Sequence, residues 1–135
     1  MNHSIENHYI GELRTSATHL KSGENIKTDA PTDNNGKGEA FAPTDLVSSA
    51  LCSCMTTVMG ICAERGGFDM PKSKAKITKI MSKVPRRISE IIIELHFEKN
   101  ILTENQKRKL ISVGKSCPVA RSLNSDIKQT IKFNF

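Results

Sequence analysis

Tryptophan is missing from this 135-residue chain, tyrosine occurs once, and aromatic residues make up only 4% of it. Modules that read single-stranded nucleic acid stack bases on aromatic platforms, so that class is set aside. No run of roughly 18–20 apolar residues, the length of a membrane span, stands out, and no spanning segment is expected. The N-terminal MNHSIENHYI lacks the basic stretch and apolar run of a secretory signal. Metal motifs are equally scarce. His3, His8, His19 and His96 are isolated, and Cys52 and Cys54 form C-x-C with no C-x-x-C pair and no histidine close by. Zinc is therefore not expected.

What is present describes an ordinary foldable chain. Hydrophobic residues make up 37% and charged residues 25%, too apolar for disorder and long enough for one core. One domain over residues 1–135 is the expectation. Twenty Lys and Arg against fourteen Asp and Glu give a formal charge of +6, which attracts anionic partners. The basic residues are dispersed, densest at Lys72, Lys74 and Lys76, at Lys83, Arg86 and Arg87, and at Lys107, Arg108 and Lys109. Alternation puts Lys72, Lys74 and Lys76 on one strand face, read as a solvated exterior. No helix-turn-helix, zinc-finger or ribonucleoprotein motif accompanies them, so nucleic acid is not an expected partner. Of the four cysteines, Cys52, Cys54 and Cys62 share one apolar segment and Cys117 stands apart. That is not a secreted disulfide framework, and a reducing cytoplasm is expected.

Residues 8–30 read as two or three short strands, with 9–14 and 25–28 flanking a turn at Lys21-Ser22-Gly23-Glu24. Residues 31–43, rich in Pro, Gly, Asn and Asp, read as a long loop. Pro43 with Thr44 or Asp45 opens a helix that stops at Gly66-Gly67. Val47, Ala50, Leu51, Cys54, Val58, Ile61 and Cys62 predict its apolar face. The other face (Ser48, Ser49, Cys52, Ser53, Thr56, Met59, Gly60) is hardly more polar, and no charge falls between Asp45 and Glu64. A helix apolar or small all round belongs inside a structure. So short a chain struggles to surround it, which predicts a second subunit related by two-fold symmetry. Residues 72–83 and 86–98 predict two long strands rich in isoleucine. Thr103-Glu104-Asn105-Gln106 has capping-box form, its helix ends near Gly114, Cys117-Pro118 starts a second short helix, and residues 126–135 close with a strand. The order of elements predicts an α+β fold.

Two cysteines invite chemistry. Cys117 precedes Pro118, which favours the first helical position, so its sulfur sits where free N–H groups stabilise a thiolate. The alternative is a small, inert core residue. Cys54 lies mid-helix among apolar neighbours, where burial raises a thiol pKa and favours inertness unless a cation or donor reaches it. Cys52 points roughly 200° away from Cys54 on a helix, and Cys62 lies about 12 Å further along the axis. Neither is placed to share a site with Cys54.

These segments together resemble the OsmC/Ohr family, the osmotically inducible and organic hydroperoxide resistance proteins. The resemblance is carried by Ala42-Pro43-Thr44-Asp45-Leu46 at the helix start, Ser53-Cys54-Met55 within it, Gly66-Gly67-Phe68 at its close, and Ser116-Cys117-Pro118-Val119-Ala120-Arg121-Ser122-Leu123. Leu13–Leu20 with Gly36–Phe41 looks like an OsmC-like subgroup. The resemblance implies an intertwined homodimer in which bent antiparallel sheets wrap long central helices. It also implies that Cys54 is the peroxidatic and Cys117 the resolving cysteine of a thiol peroxidase that answers oxidative stress. Organic hydroperoxides would be the substrate and an external dithiol the reductant, with no metal or organic cofactor. An Arg and a Glu complete the family site. Here the Glu position falls on Thr44 with Asp45 beside it, and Arg14 is the nearest candidate for the Arg, with Lys37 behind it. Cys52 reads as a packing substitution or an extra thiol. Two other readings stand beside this one: a non-catalytic dimer that binds a small apolar ligand at its interface, and capture of an anionic partner by the basic strands.

Overall fold

The structure is a computed structural model that describes residues 2–135. The chain divides between Leu46 and Val47 into two compact units. In the first, β1 (Ile5–Gly11), β2 (Arg14–His19) and β3 (Asn25–Asp29) form an antiparallel meander in the order β1-β2-β3. A strand over 9–14 is not what forms there. Gly11, Glu12 and Leu13 take φ of 88°, 55° and 60°, and the chain reverses at that point. Left-handed residues match the twist of a tight hairpin, but Glu and Leu do not announce one, so composition hid the turn. The turn at 21–24 is present, closed by His19 N–H on Glu24 O and Gly23 N–H on His19 O, both 2.8 Å.

The loop that follows contains a 3₁₀ turn at Thr32–Asn34 and folds back so tightly that a Cβ at Gly36 would fall 1.7 Å from Ala30 O. Only glycine fits there. α1 (Pro43–Arg65) begins in this unit, with Asp45 Oδ2 accepting from Ala42 N–H at 2.9 Å, a carboxylate at the positive helix end. The helix closes with Gly67 at φ 71° and Phe68 N–H on Ala63 O, the glycine stop expected from the sequence.

The second unit contains β4 (Ser73–Lys83), β5 (Arg86–Phe97), α2 (Glu104–Lys115), α3 (Pro118–Ser122) and β6 (Lys128–Asn134). β4 and β5 pair antiparallel, with a register shift between Ile80 and Met81. β6 pairs parallel to β5, so this sheet is mixed and not antiparallel throughout. The connection through α2 and α3 is the long crossover that parallel neighbours require. Ile91, Ile93 and Leu95 of the central strand are fully buried on one face, and join Leu51, Met55, Met59 and Leu110 in the core. On the other face Lys76 stands opposite Glu94, which stands opposite Lys132. The basic strands are thus interleaved with acid.

The buried stripe of α1 is Ser48, Leu51, Cys52, Met55, Met59 and Ala63, not the expected stripe through Val47, Cys54 and Ile61. Val47 and Ile61 are exposed, and Cys54, Val58 and Cys62 are half-buried. With so little polarity on any side, periodicity could not choose the inward face. α1 is also long and apolar enough, by length and composition, to cross a membrane, which corrects the expectation that no segment is. Its Leu51, Met55 and Met59 have no exposure and lie in the core cluster, and core helices meet the same criterion.

Candidate active site

α2 brings the two cysteines together. Its N-terminus is fixed by the predicted capping box: Gln106 N–H donates to Thr103 Oγ1 at 3.1 Å and Thr103 N–H to Gln106 Oε1 at 2.9 Å. Near its other end Gly114 lies against α1. A Cβ there would come within 3.0 Å of Met55 Cγ and 3.1 Å of Met59 Sδ. The absent side chain lets the helices approach, and the chain three residues later reaches the α1 turn that carries Cys54. Cys117 N–H donates to Gly114 O at 3.3 Å, and Pro118 starts α3 without an N–H to lose.

Cys117 is the N-cap of α3 with extended backbone (φ −63°, ψ 157°), and its sulfur accepts from Ala120 N–H at 3.4 Å. It is buried, and its thiol is hydrogen-bonded to Cys54. Both cysteines are free thiols. Burial pushes the Cys117 thiol above its ordinary value. The Ala120 N–H acts against that, while the hydrogen bond and charge of Cys54 add to it. Cys117 therefore holds its proton more tightly than an ordinary thiol. Cys52 lies in the core, and its thiol is raised by burial alone. Arg121 Nε on Ser116 O (2.9 Å) and Gln129 Nε2 on Ala120 O (3.1 Å) brace α3 at both sides.

The first unit holds a separate polar cluster. Arg14 grips Asp29 with two bonds, Nε to Oδ1 at 2.6 Å and Nη2 to Oδ2 at 2.9 Å. Asp29 also accepts Glu39 N–H at 3.1 Å, and its side chain is wholly buried. Hydrogen bonds from Arg14 hold the Asp29 carboxyl below its ordinary range, and the same bonds raise the guanidinium. Lys37 pairs with Glu12 at 2.6 Å. The carboxylate that Arg14 meets is thus Asp29 and not the expected Asp45, whose carboxylate serves the start of α1. Asp29 carries no local motif; its signal is a cross-strand register, Arg14 opposite Asp29 in the pairing of β2 with β3. Among the described residues no group of three or more His, Cys, Asp or Glu is arranged to hold a metal.

The family model for OsmC-like proteins matches residues 36–132. Among solved structures the chain is similar to a candidate osmotic stress induced and detoxification response protein from Psychrobacter arcticus 273-4. The two are 42% identical with a TM-score of 0.93, over 99% of this chain and 97% of that one. It is similar in fold to the organic hydroperoxide resistance protein OsmC of Legionella pneumophila (12% identity, TM-score 0.75, 97% and 95% covered). The same holds for the organic hydroperoxide resistance protein OhrB of Bacillus subtilis (9%, 0.65, 96% and 96%). The α+β fold described above is the fold of these proteins. No curated protein matches the chain.

Proposed function

This chain belongs to the OsmC-like protein family, and from that premise we propose that it is a thiol-dependent peroxidase for organic hydroperoxides. The observation that carries the reading is the hydrogen-bonded pair of free thiols, one half-buried on α1 and one buried at the cap of α3. The names of the Legionella and Bacillus proteins of the same fold support the substrate class.

The Cys54 thiolate attacks one oxygen of ROOH. The O–O bond breaks, the leaving alkoxide takes a proton to become ROH, and Cys54 becomes a sulfenic acid. The Cys117 sulfur then displaces hydroxide from that sulfenic sulfur, forming the Cys54–Cys117 disulfide and water. An external dithiol reduces the disulfide by two exchange steps and is itself oxidised. The interaction of the two thiols supports a second step that needs little motion. Val58, Val119, Ala120 and Leu123 pack nearby against the core and suit an alkyl group better than a bare peroxide.

Arg14, held by Asp29, is the nearest candidate for the cation that family peroxidases set beside the thiolate. A two-fold homodimer covers the apolar side chains left exposed, Ile61 of α1 and Tyr9 of β1 among them. A reducing cytoplasm fits free thiols that need a dithiol.

The test is consumption of cumene hydroperoxide by purified protein supplied with dithiothreitol. Wild type turns over, and Cys54→Ser falls to the uncatalysed rate. Cys117→Ser accumulates a Cys54 sulfenate trapped by dimedone. Wild-type turnover no faster than Cys54→Ser would overturn the proposal and leave the non-catalytic, ligand-binding reading.

A further inference from the structure

The glycine stop of α1 releases the chain into Phe68-Asp69 and Pro71, and the connection from β5 to α2 passes Lys99 and Leu102. These two segments, with Gln106 on the first turn of α2, line a half-open cavity of about 500 Å³. That volume lies within the range of small-molecule sites, roughly 300–1,000 Å³. It is distinct from the thiols: Cys117 lies beyond the opposite end of α2, and twelve helical residues span about 18 Å.

The lining has a definite character. Phe68, Pro71 and Leu102 supply an apolar wall. Asp69 and Lys99 supply one charge of each sign, and the side chain of neither is paired with the other or with any described residue. Gln106 uses its carbonyl oxygen on the helix cap, which leaves its amide N–H groups for a ligand. A simple carboxylic acid drawn to Lys99 is opposed by Asp69, and a simple amine drawn to Asp69 is opposed by Lys99. A neutral apolar molecule answers neither. A molecule that carries both charges on an apolar body satisfies all three features.

We propose that this cavity binds a small zwitterion with an apolar body, the chemistry of an apolar amino acid or dipeptide, at a site separate from the thiol pair. The inference does not depend on peroxidase activity.

The experiment is a titration of the full-length, ¹⁵N-labelled protein with the dipeptide L-leucyl-L-phenylalanine, followed by amide chemical shifts. Saturable shifts are expected at residues 68–71 and 99–106, with those at 52–56 and 117–120 unmoved. The N-acetylated and C-amidated dipeptides each bind about threefold more weakly or worse, the scale of one partly solvated ion pair. Asp69→Asn removes the preference for the free amine, and Lys99→Gln removes the preference for the free carboxylate. Both residues are exposed, so both variants keep the wild-type spectrum away from the cavity. Absence of saturation, equal binding of the capped and free dipeptides, or shifts confined to the thiol region would each overturn the proposal.

Discussion

The helices α1 and α2 reach the core by opposite routes. α2 is mostly charged and polar, and buries only Leu110 and Gly114. Its inward face is therefore set by contrast, and its start by a capping box. α1 has no charge between Asp45 and Glu64, so contrast does not orient it. What turns it is the shape of its neighbours: Gly114 leaves room for Met55 and Met59, and Leu51 joins the core cluster that holds the isoleucines of β5. On the proposed chemistry the difference is functional as well. Because α1 is apolar on every side, it can carry one thiol toward the core (Cys52) and another, two residues on, at a half-buried stripe where chemistry is possible (Cys54).

The largest effect should separate those two thiols. Cys54→Ser is expected to abolish hydroperoxide turnover and Cys52→Ser to leave it close to wild type, both read by the cumene hydroperoxide assay. Equal loss in both variants would mean that the two stripes of α1 are not functionally distinct. Next come the packing residues. Met55→Ala and Leu110→Ala should each cost about 2–5 kcal/mol in urea unfolding, whereas Ile61→Ala on the exposed stripe should cost under about 1 kcal/mol in an isolated subunit. If Ile61→Ala costs as much as Met55→Ala, a partner covers that stripe, and light scattering will show a dimer.

Gly114→Val places a branched side chain between the helices and should cost about 1–3 kcal/mol. It should also slow disulfide formation between Cys54 and Cys117, read by mass spectrometry after mild peroxide. Thr103→Ala removes the cap that orients α2 and should cost about 1 kcal/mol. The smallest effect is a titration. Cys117 alkylation by iodoacetamide should have its midpoint above the ordinary thiol value, because burial and Cys54 both favour its protonated form. In Cys54→Ser the charge of Cys54 is gone, so the midpoint should move down but stay raised by burial.

The same contrast explains what could be read in advance. Signals complete within a few residues were legible: the box at 103–106, the glycines after α1, Pro118 at the first position of α3 and the isoleucine-rich strands. Features fixed by distant neighbours were not. The turn at 11–13 uses Glu and Leu in left-handed conformations, the parallel pairing of β6 depends on a crossover, and the inward face of α1 depends on Gly114. Asp29 as the clamp of Arg14 follows only from strand register. The pairing of Cys54 with Cys117 came from family resemblance, since spacing alone left both open to an inert reading.

One sulfur holds two jobs. Cys117 Sγ is the acceptor that ties down the first turn of α3 and, on the proposed chemistry, the atom that closes the disulfide. The usual alanine knockout would therefore unpick a helix end as well as delete a thiol, and the two losses would be read as one. Serine keeps an acceptor for the Ala120 amide, so the difference between the serine and alanine variants at this position measures the mechanical share of the residue apart from the chemical one.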